Sequence, residues 1–190
     1  MIKSEKSGIV LDVNVWLDAI GPLGELSQWE NLSGLETVGV RANAARSVRR
    51  LISAQISGNG SKVRVCASKH ILDLLFVKLQ SFYGWNRSAA AAAVAQVALF
   101  CNATGGSYDV DARSVLSDVN AAVSSLHLTS SEKTDADIDF EDLMVLATAT
   151  AVKASVLVTN DGGLQQTHAT MLRRFDLAVV FPKQFAAAVN

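Results

Sequence analysis

The N-terminal part of the chain pairs a short apolar run with a helical pattern. Residues 8–13 are apolar without a polar alternation, which predicts a strand buried on both faces. Asp12 lies near the end of that run, and Asn14 stands where an N-cap would open a helix. Apolar residues then continue at helical spacing until Gly21 and Pro22, which are predicted to stop the helix: Val15, Trp16, Leu17 and Ile20.

The middle of the chain predicts three further helices and a second strand. Residues 41–56 carry an apolar stripe at helical spacing, and residues 62–67 alternate as a strand does. Ser68 is the predicted N-cap of the next helix, because apolar residues recur after it every three or four positions. Asn86 is predicted to open an alanine-rich helix that reaches Cys101.

The C-terminal third repeats the alternation of helix and strand. An acidic run leads into a helix predicted to end near Lys153, and residues 155–159 form a clear apolar strand. A turn at residues 160–163, a short helix, a strand at 177–180 and a last helix after Pro182 complete the pattern. Strands that alternate with helices predict an α/β fold with a mainly parallel central sheet flanked by helices, as a single domain over residues 1–190.

The composition limits the classes of protein to which this chain can belong, but it identifies no binding partner. The 17 basic and 18 acidic residues give a formal charge of -1, so any contact with a polyanion must come from a local patch. Cys66 and Cys101 lie in apolar surroundings and are interpreted as core residues of a reducing compartment. No signal peptide or membrane span is visible, and the expected location is cytoplasmic.

Three carboxylates stand where a parallel sheet binds its ligands. Asp12 ends the first strand, Asp161 follows the strand at 155–159, and Asp142 lies in the first turn of the helix before that strand. Ligands of such sheets bind beyond the carboxyl ends of the strands. Carboxylates brought together there repel one another unless a cation neutralises them, and Mg²⁺ or Mn²⁺ prefers such oxygen ligands. Helix caps and solvated surface acids remain the alternative interpretation.

Three separated motifs resemble those of the PIN-domain ribonucleases, the family that includes VapC-type bacterial toxins. The first is Val-Leu-Asp-Val-Asn-Val-Trp-Leu at residues 10–17, and the second is Glu-Asp-Leu-Met-Val-Leu-Ala-Thr-Ala at 141–149. The third is Ala-Ser-Val-Leu-Val-Thr-Asn-Asp at 154–161, and the helix start at 68–73 is also similar to that of toxin PIN domains. The resemblance implies a three-layer PIN-like fold.

The resemblance also implies a role for individual residues. Asp12, Asp142 and Asp161 would bind Mg²⁺ or Mn²⁺ as catalytic acids, with Asn14 and Thr159 as polar supports. The family's second acid, normally a Glu in the helix after the second strand, has no clear counterpart. Asp73 is the nearest candidate, although the alignment also permits Leu74 at that position; Asp139, one turn before Asp142, is an alternative support.

These observations predict a metal-dependent endoribonuclease that hydrolyses RNA phosphodiester bonds. The resemblance adds a toxin role, an antitoxin partner and a homodimer as expectations. A basic helix face is the candidate RNA contact, with a solvated face as its alternative: Arg46, Arg49 and Arg50. The competing hypotheses are a catalytically silent PIN-like module that binds RNA or a protein, and, more remotely, a phosphotransfer enzyme with a nucleophilic aspartate.

Overall fold

The computed structural model describes residues 7–21, 48, 63–127 and 138–188. Within these ranges the chain forms a four-stranded sheet, made of β1 (Ser7–Leu11), β2 (Val63–Cys66), β3 (Ala154–Val158) and β4 (Ala178–Val180). The strand order is β2-β1-β3-β4, and all three pairings are parallel. The predicted α/β class, with a parallel sheet flanked by helices, is confirmed.

The helices alternate with the strands as predicted, except that two helices lie between β3 and β4, where the sequence predicted one short helix. In chain order they are α1 (Val13–Ile20), α2 (Lys69–Tyr83), α3 (Arg87–Ala103), a 3₁₀ turn (Ala112–Val115), α4 (Leu116–His127), α5 (Phe140–Ala151), α6 (Gly162–Gln166), α7 (His168–Phe175) and α8 (Pro182–Ala188). Helix α2 packs against α1 and α3, whereas α5 packs against the 3₁₀ turn, α4 and β3. Among the described helices none is long and apolar enough to cross a bilayer.

The core forms around the central strand. Ile9, Val10 and Leu11 of β1 are buried, as the uninterrupted apolar run predicted, because β1 has a strand on each side. Both cysteines belong to this core with free thiols, and burial raises the pKa of Cys101 to about 12. Both cysteine side chains therefore pack as small apolar groups in the core.

Two helix starts differ from the sequence prediction. Helix α1 begins at Val13, so Asp12 is its N-cap and Asn14, the predicted cap, is already helical. The carbonyl of Asp12 accepts from Val15 and Trp16 as soon as the strand ends, which leaves no turn between strand and helix. The turn predicted at 160–163 is also shorter, because the carboxylate of Asp161 caps α6 and draws Gly162 and Gly163 into it.

Caps predicted from local sequence are observed at two other helices. The Ser68 hydroxyl accepts from the amide of Ile71 at the start of α2, and the Asn86 side chain accepts from Ala89 at the start of α3. The helix predicted over residues 41–56 lies outside the described residues except for Val48, which is helical and buried. Arg46, Arg49 and Arg50 fall in that undescribed part.

Candidate active site

The carboxylate of Asp12 lies at the carboxyl edge of the sheet, next to β3. The residue is 4% exposed, and its amide continues the ladder by donating to the carbonyl of Val158 over 2.9 Å. Its side chain makes no capping bond to α1; instead Oδ2 accepts from the Thr159 hydroxyl over 2.6 Å. Burial raises the pKa of Asp12, and the hydrogen bond from Thr159 opposes that rise.

Thr159 connects the first acid to the third. Its fully buried hydroxyl donates to Asp12 and accepts from the amide of Asp161 over 2.9 Å. The carboxylate of Asp161 is then directed to the first turn of α6, where Oδ1 accepts from the Leu164 amide over 2.9 Å. One hydroxyl thus fixes the geometry between two acids that lie 149 positions apart (161 − 12) in the chain.

Asp142 completes this set of acids from helix α5. It forms a capping box with Asp139: the Asp142 amide donates to Asp139 Oδ1 over 2.9 Å, and the Asp139 amide donates to Asp142 Oδ2 over 3.3 Å. The pKa of Asp142 is raised from 3.8 to about 6, chiefly by burial, with smaller contributions from the charges of Asp139, Asp161 and Asp12. The pKa of the half-buried Asp142 carboxylate therefore depends on the charges of both Asp12 and Asp161.

Asp12, Asp142 and Asp161 form what we call the acid group. Asp161 raises the pKa of Asp12, and both raise that of Asp142, so the three charges are close enough to repel one another. In the part of the chain that the structure describes, no three His, Cys, Asp or Glu side chains are arranged to hold a metal ion. The acid group is therefore not a formed metal site as it stands, but its donors are carboxylate oxygens, the type that a divalent cation prefers, and each has lone pairs beyond those its hydrogen bonds use.

Lys78 is a charged neighbour of the acid group that sequence reasoning missed. Its charge lowers the pKa of Asp12, and its ammonium forms a 3.1 Å ion pair with Glu141, beside Asp142 in the chain. Lys78 is one helical turn after Leu74, the other position at which the resemblance allows the second acid. That spacing is the signal that would have drawn attention to it.

Asp73 has different surroundings from the acid group. It is exposed and forms an ion pair with Lys69 on the same helix. Together with His70, Arg113 and Phe140 it lines a separate cavity of about 440 Å³. The charges that act on Asp12 come from Asp161 and Lys78, and Asp73 is not among them. Asp12, Asp142 and Asp161 therefore lie within electrostatic range of one another, whereas Asp73 exerts no such influence on Asp12 or Asp142.

The two remaining predicted supports are neighbours of different acids of the acid group. Asp139 is exposed and acts on Asp142 through the capping box described above. Asn14 is half-buried and lines a cleft of about 530 Å³ that also contains Asp161. Its other walls come from α1, the end of α2 and the residue before Asp161: Leu17, Asp18, Phe82, Tyr83 and Asn160. We call this cavity the Phe82 cleft.

Comparison of the chain with protein-family models, with curated proteins and with solved structures gave no match.

Proposed function

We propose that this protein is a metal-dependent endoribonuclease whose acid group holds Mg²⁺ or Mn²⁺. The observation that carries the proposal is the convergence of Asp12, Asp142 and Asp161 from separate segments: the Thr159 hydroxyl links the Asp12 carboxylate to the Asp161 backbone, and the charges of both acids raise the pKa of Asp142. A cluster of this kind has an unfavourable electrostatic energy in the ionised state, and a bound divalent cation would remove it. The three motifs that resemble PIN domains contain these three acids.

The residues of the chain would have distinct roles in this reaction. Asp12, Asp142 and Asp161 would hold the cation, and Thr159 would keep Asp12 in its orientation while positioning the backbone of Asp161. When bound, the cation would supply an activated water and charge stabilisation on the phosphate, the two requirements of phosphodiester hydrolysis. Asn14 would lie beside the site as a polar neighbour of Asp161.

The test of this proposal is cleavage of a single-stranded RNA by the purified chain. We expect cleavage with Mg²⁺ or Mn²⁺, none with EDTA, and a loss of at least about a hundredfold in the rate for Asp12→Asn, since that carboxylate is the most buried of the three. Asp118→Asn is the matched control, because Asp118 is exposed on α4 and outside the acid group. Cleavage that persists both in EDTA and in Asp12→Asn would contradict the mechanism.

A catalytically silent module is the second candidate, and Lys78 is the observation that favours it. An ammonium group that already lowers the pKa of Asp12 neutralises part of the charge that would attract a metal ion. The two candidates differ in a thermal unfolding measurement. If the protein is a nuclease, Mn²⁺ raises the unfolding temperature of the wild type but not that of Asp12→Asn. If it is a silent module, it binds RNA without turnover, and Mn²⁺ leaves its unfolding temperature unchanged.

The biological setting of the proposed activity rests on the family resemblance alone. From that resemblance we propose RNA as the substrate and a toxin role for the protein. It also suggests an antitoxin protein as the partner and a homodimer as the oligomeric state. A short antitoxin-like reading frame immediately upstream of the gene would support the toxin role. The proposed metal-dependent cleavage at the acid group does not depend on the toxin role.

A further inference from the structure

The Phe82 cleft shares a wall with the acid group. Asp161 belongs to both, and Asn160, which precedes it, faces the cleft from the same loop. A polymer whose phosphate lies at the acid group would therefore have its neighbouring sugar and base at the cleft. A volume of about 530 Å³ is large enough for one base together with its solvent.

An exposed aromatic ring forms one wall of the cleft. Phe82 is 73% exposed, the largest exposed fraction among the large apolar residues that the structure describes. The end of α2 that carries it is held in place, because the Trp85 indole donates to the Gly21 carbonyl over 3.1 Å. The ring of Tyr83 also lies against Gly21, so closely that a Cβ there would be 2.4 Å from it. Phe82 is thus an exposed ring on an anchored helix end.

The cleft lining also includes polar and negatively charged groups. Asn160 Nδ2 donates to Asp18 Oδ2 over 2.8 Å, and Asn14 and Asp161 line the same cleft. The Asp18 carboxylate repels phosphate groups, which makes its part of the cleft unsuited to the RNA backbone. Amide and carboxylate groups do hydrogen-bond to the edges of nucleobases, and an aromatic ring stacks on their faces.

We propose that the Phe82 cleft binds one unpaired nucleobase of the RNA, with Phe82 as its stacking surface. This inference rests on the proposed function only for the presence of RNA at the acid group. A base held against Phe82 is out of its own helical stack, so the RNA is single-stranded at that nucleotide. Phe82 then acts as a binding residue: by holding one base in the cleft, it determines which nucleotide lies next to the cleaved bond.

The experiment measures RNA binding separately from cleavage. Fluorescence anisotropy gives the Kd of a short labelled single-stranded RNA, and of the same RNA with one abasic nucleotide at each position in turn, for the Asp12→Asn chain. We expect Phe82→Ala in that background to raise Kd roughly tenfold and Phe82→Trp to leave it unchanged or lower it. Leu99→Ala is the control, because Leu99 is a 60% exposed apolar residue on α3.

The decisive result is the coupling between Phe82 and one base. One abasic position should weaken binding to the chain that keeps Phe82 and have little further effect on Phe82→Ala. The base site is overturned if the effects of the abasic nucleotide and of Phe82→Ala on binding add at every RNA position, or if Phe82→Ala leaves Kd unchanged. If the coupling is present but the chain with native Asp12 does not cleave RNA, the proposed function fails and the base site stands. Cleavage without coupling supports the proposed function and overturns the base site.

Discussion

At the scale of single residues, the acid group depends on one hydroxyl. Thr159 is fully buried, donates to the Asp12 carboxylate and accepts from the Asp161 amide. Valine has nearly the shape of threonine but neither donates nor accepts, so it would leave a buried carboxylate without its donor and a backbone amide without its acceptor. Buried groups left in this state have a substantial energetic cost.

We therefore expect Thr159→Val to lower the free energy of unfolding by about 2 kcal/mol, measured by urea denaturation at pH 7. Thr159→Ser keeps the hydroxyl and removes one methyl group, so its loss should be smaller, about 1 kcal/mol. The comparison between the two variants separates hydrogen bonding from packing. Equal losses for valine and serine would mean that the hydroxyl contributes nothing to stability.

The acids themselves were predictable from sequence because their positions are local properties. Asp12 ends an apolar strand, and Asp142 stands three residues after Asp139 in a pattern typical of a helix start. Lys78 and Phe82 were missed for the opposite reason. Each is an ordinary member of an amphipathic helix, and only the packing of α2 against α1 determines that one lies near Asp12 and the other at a cleft.

At the scale of elements, the connection after α3 requires a glycine. Gly106 lies so close to β2 that a Cβ atom there would stand 1.8 Å from the carbonyl oxygen of Val65, an impossible approach without movement of the backbone. The Thr104 hydroxyl holds the same segment in place, because it accepts from the Val65 amide over 2.9 Å. The turn after α3 and strand β2 are therefore in direct contact, with no space for a side chain at residue 106.

We expect Gly106→Ala to lower the free energy of unfolding by about 3 kcal/mol, since relief of the clash must displace β2 or the turn. Gly162→Ala is the matched control. No atom lies within 4 Å of its Cβ position and it is in the first turn of α6, so the substitution should leave stability unchanged or raise it slightly. Thermal unfolding of the two variants checks both expectations. A Gly106→Ala protein as stable as Gly162→Ala would contradict the close approach of Gly106 to Val65.

Element boundaries show where local sequence is sufficient and where it is not. Ser68 and Asn86 were recognisable as caps because the side chain bonds to an amide only three residues ahead. The cap of α1 was assigned to Asn14 because asparagine is a good capping residue, yet the helix begins directly from β1. The Asp12 carboxylate is engaged by Thr159, far away in sequence, and no local rule reveals that partner.

At the scale of the whole molecule, the order of the strands brings the acids together. β1 and β3 are neighbours, so the residues that follow them, Asp12 and Thr159, meet at one edge of the sheet. Helix α5 runs directly into β3 and brings Asp142 toward the same edge. The alternation of strands and helices predicted a parallel sheet, but not that β1 would lie between β2 and β3.

This arrangement makes the stability of the metal-free protein depend on pH. Because the pKa of Asp142 is raised from 3.8 to about 6, the folded state binds a proton more tightly than the unfolded state does. The stabilisation from this proton is complete below about pH 4, declines as the pH rises to about 6, and is absent above that. Burial raises the pKa of Asp12 and so acts in the same direction.

We expect the stability of the wild type, relative to Asp142→Asn, to fall between pH 4 and pH 6 in EDTA. The asparagine keeps an oxygen that can accept from the Asp139 amide, so the capping box is retained while the titrating group is lost. Urea denaturation of both proteins at each pH gives the difference directly, and pH effects that come from acids without a charge interaction with Asp142 cancel. Since a cation binds the ionised acid group, saturating Mn²⁺ should stabilise the wild type more at pH 7 than at pH 5. A difference that stays constant with pH would mean that Asp142 is as well solvated as an ordinary surface acid, and that neither Asp12 nor Asp161 acts on it.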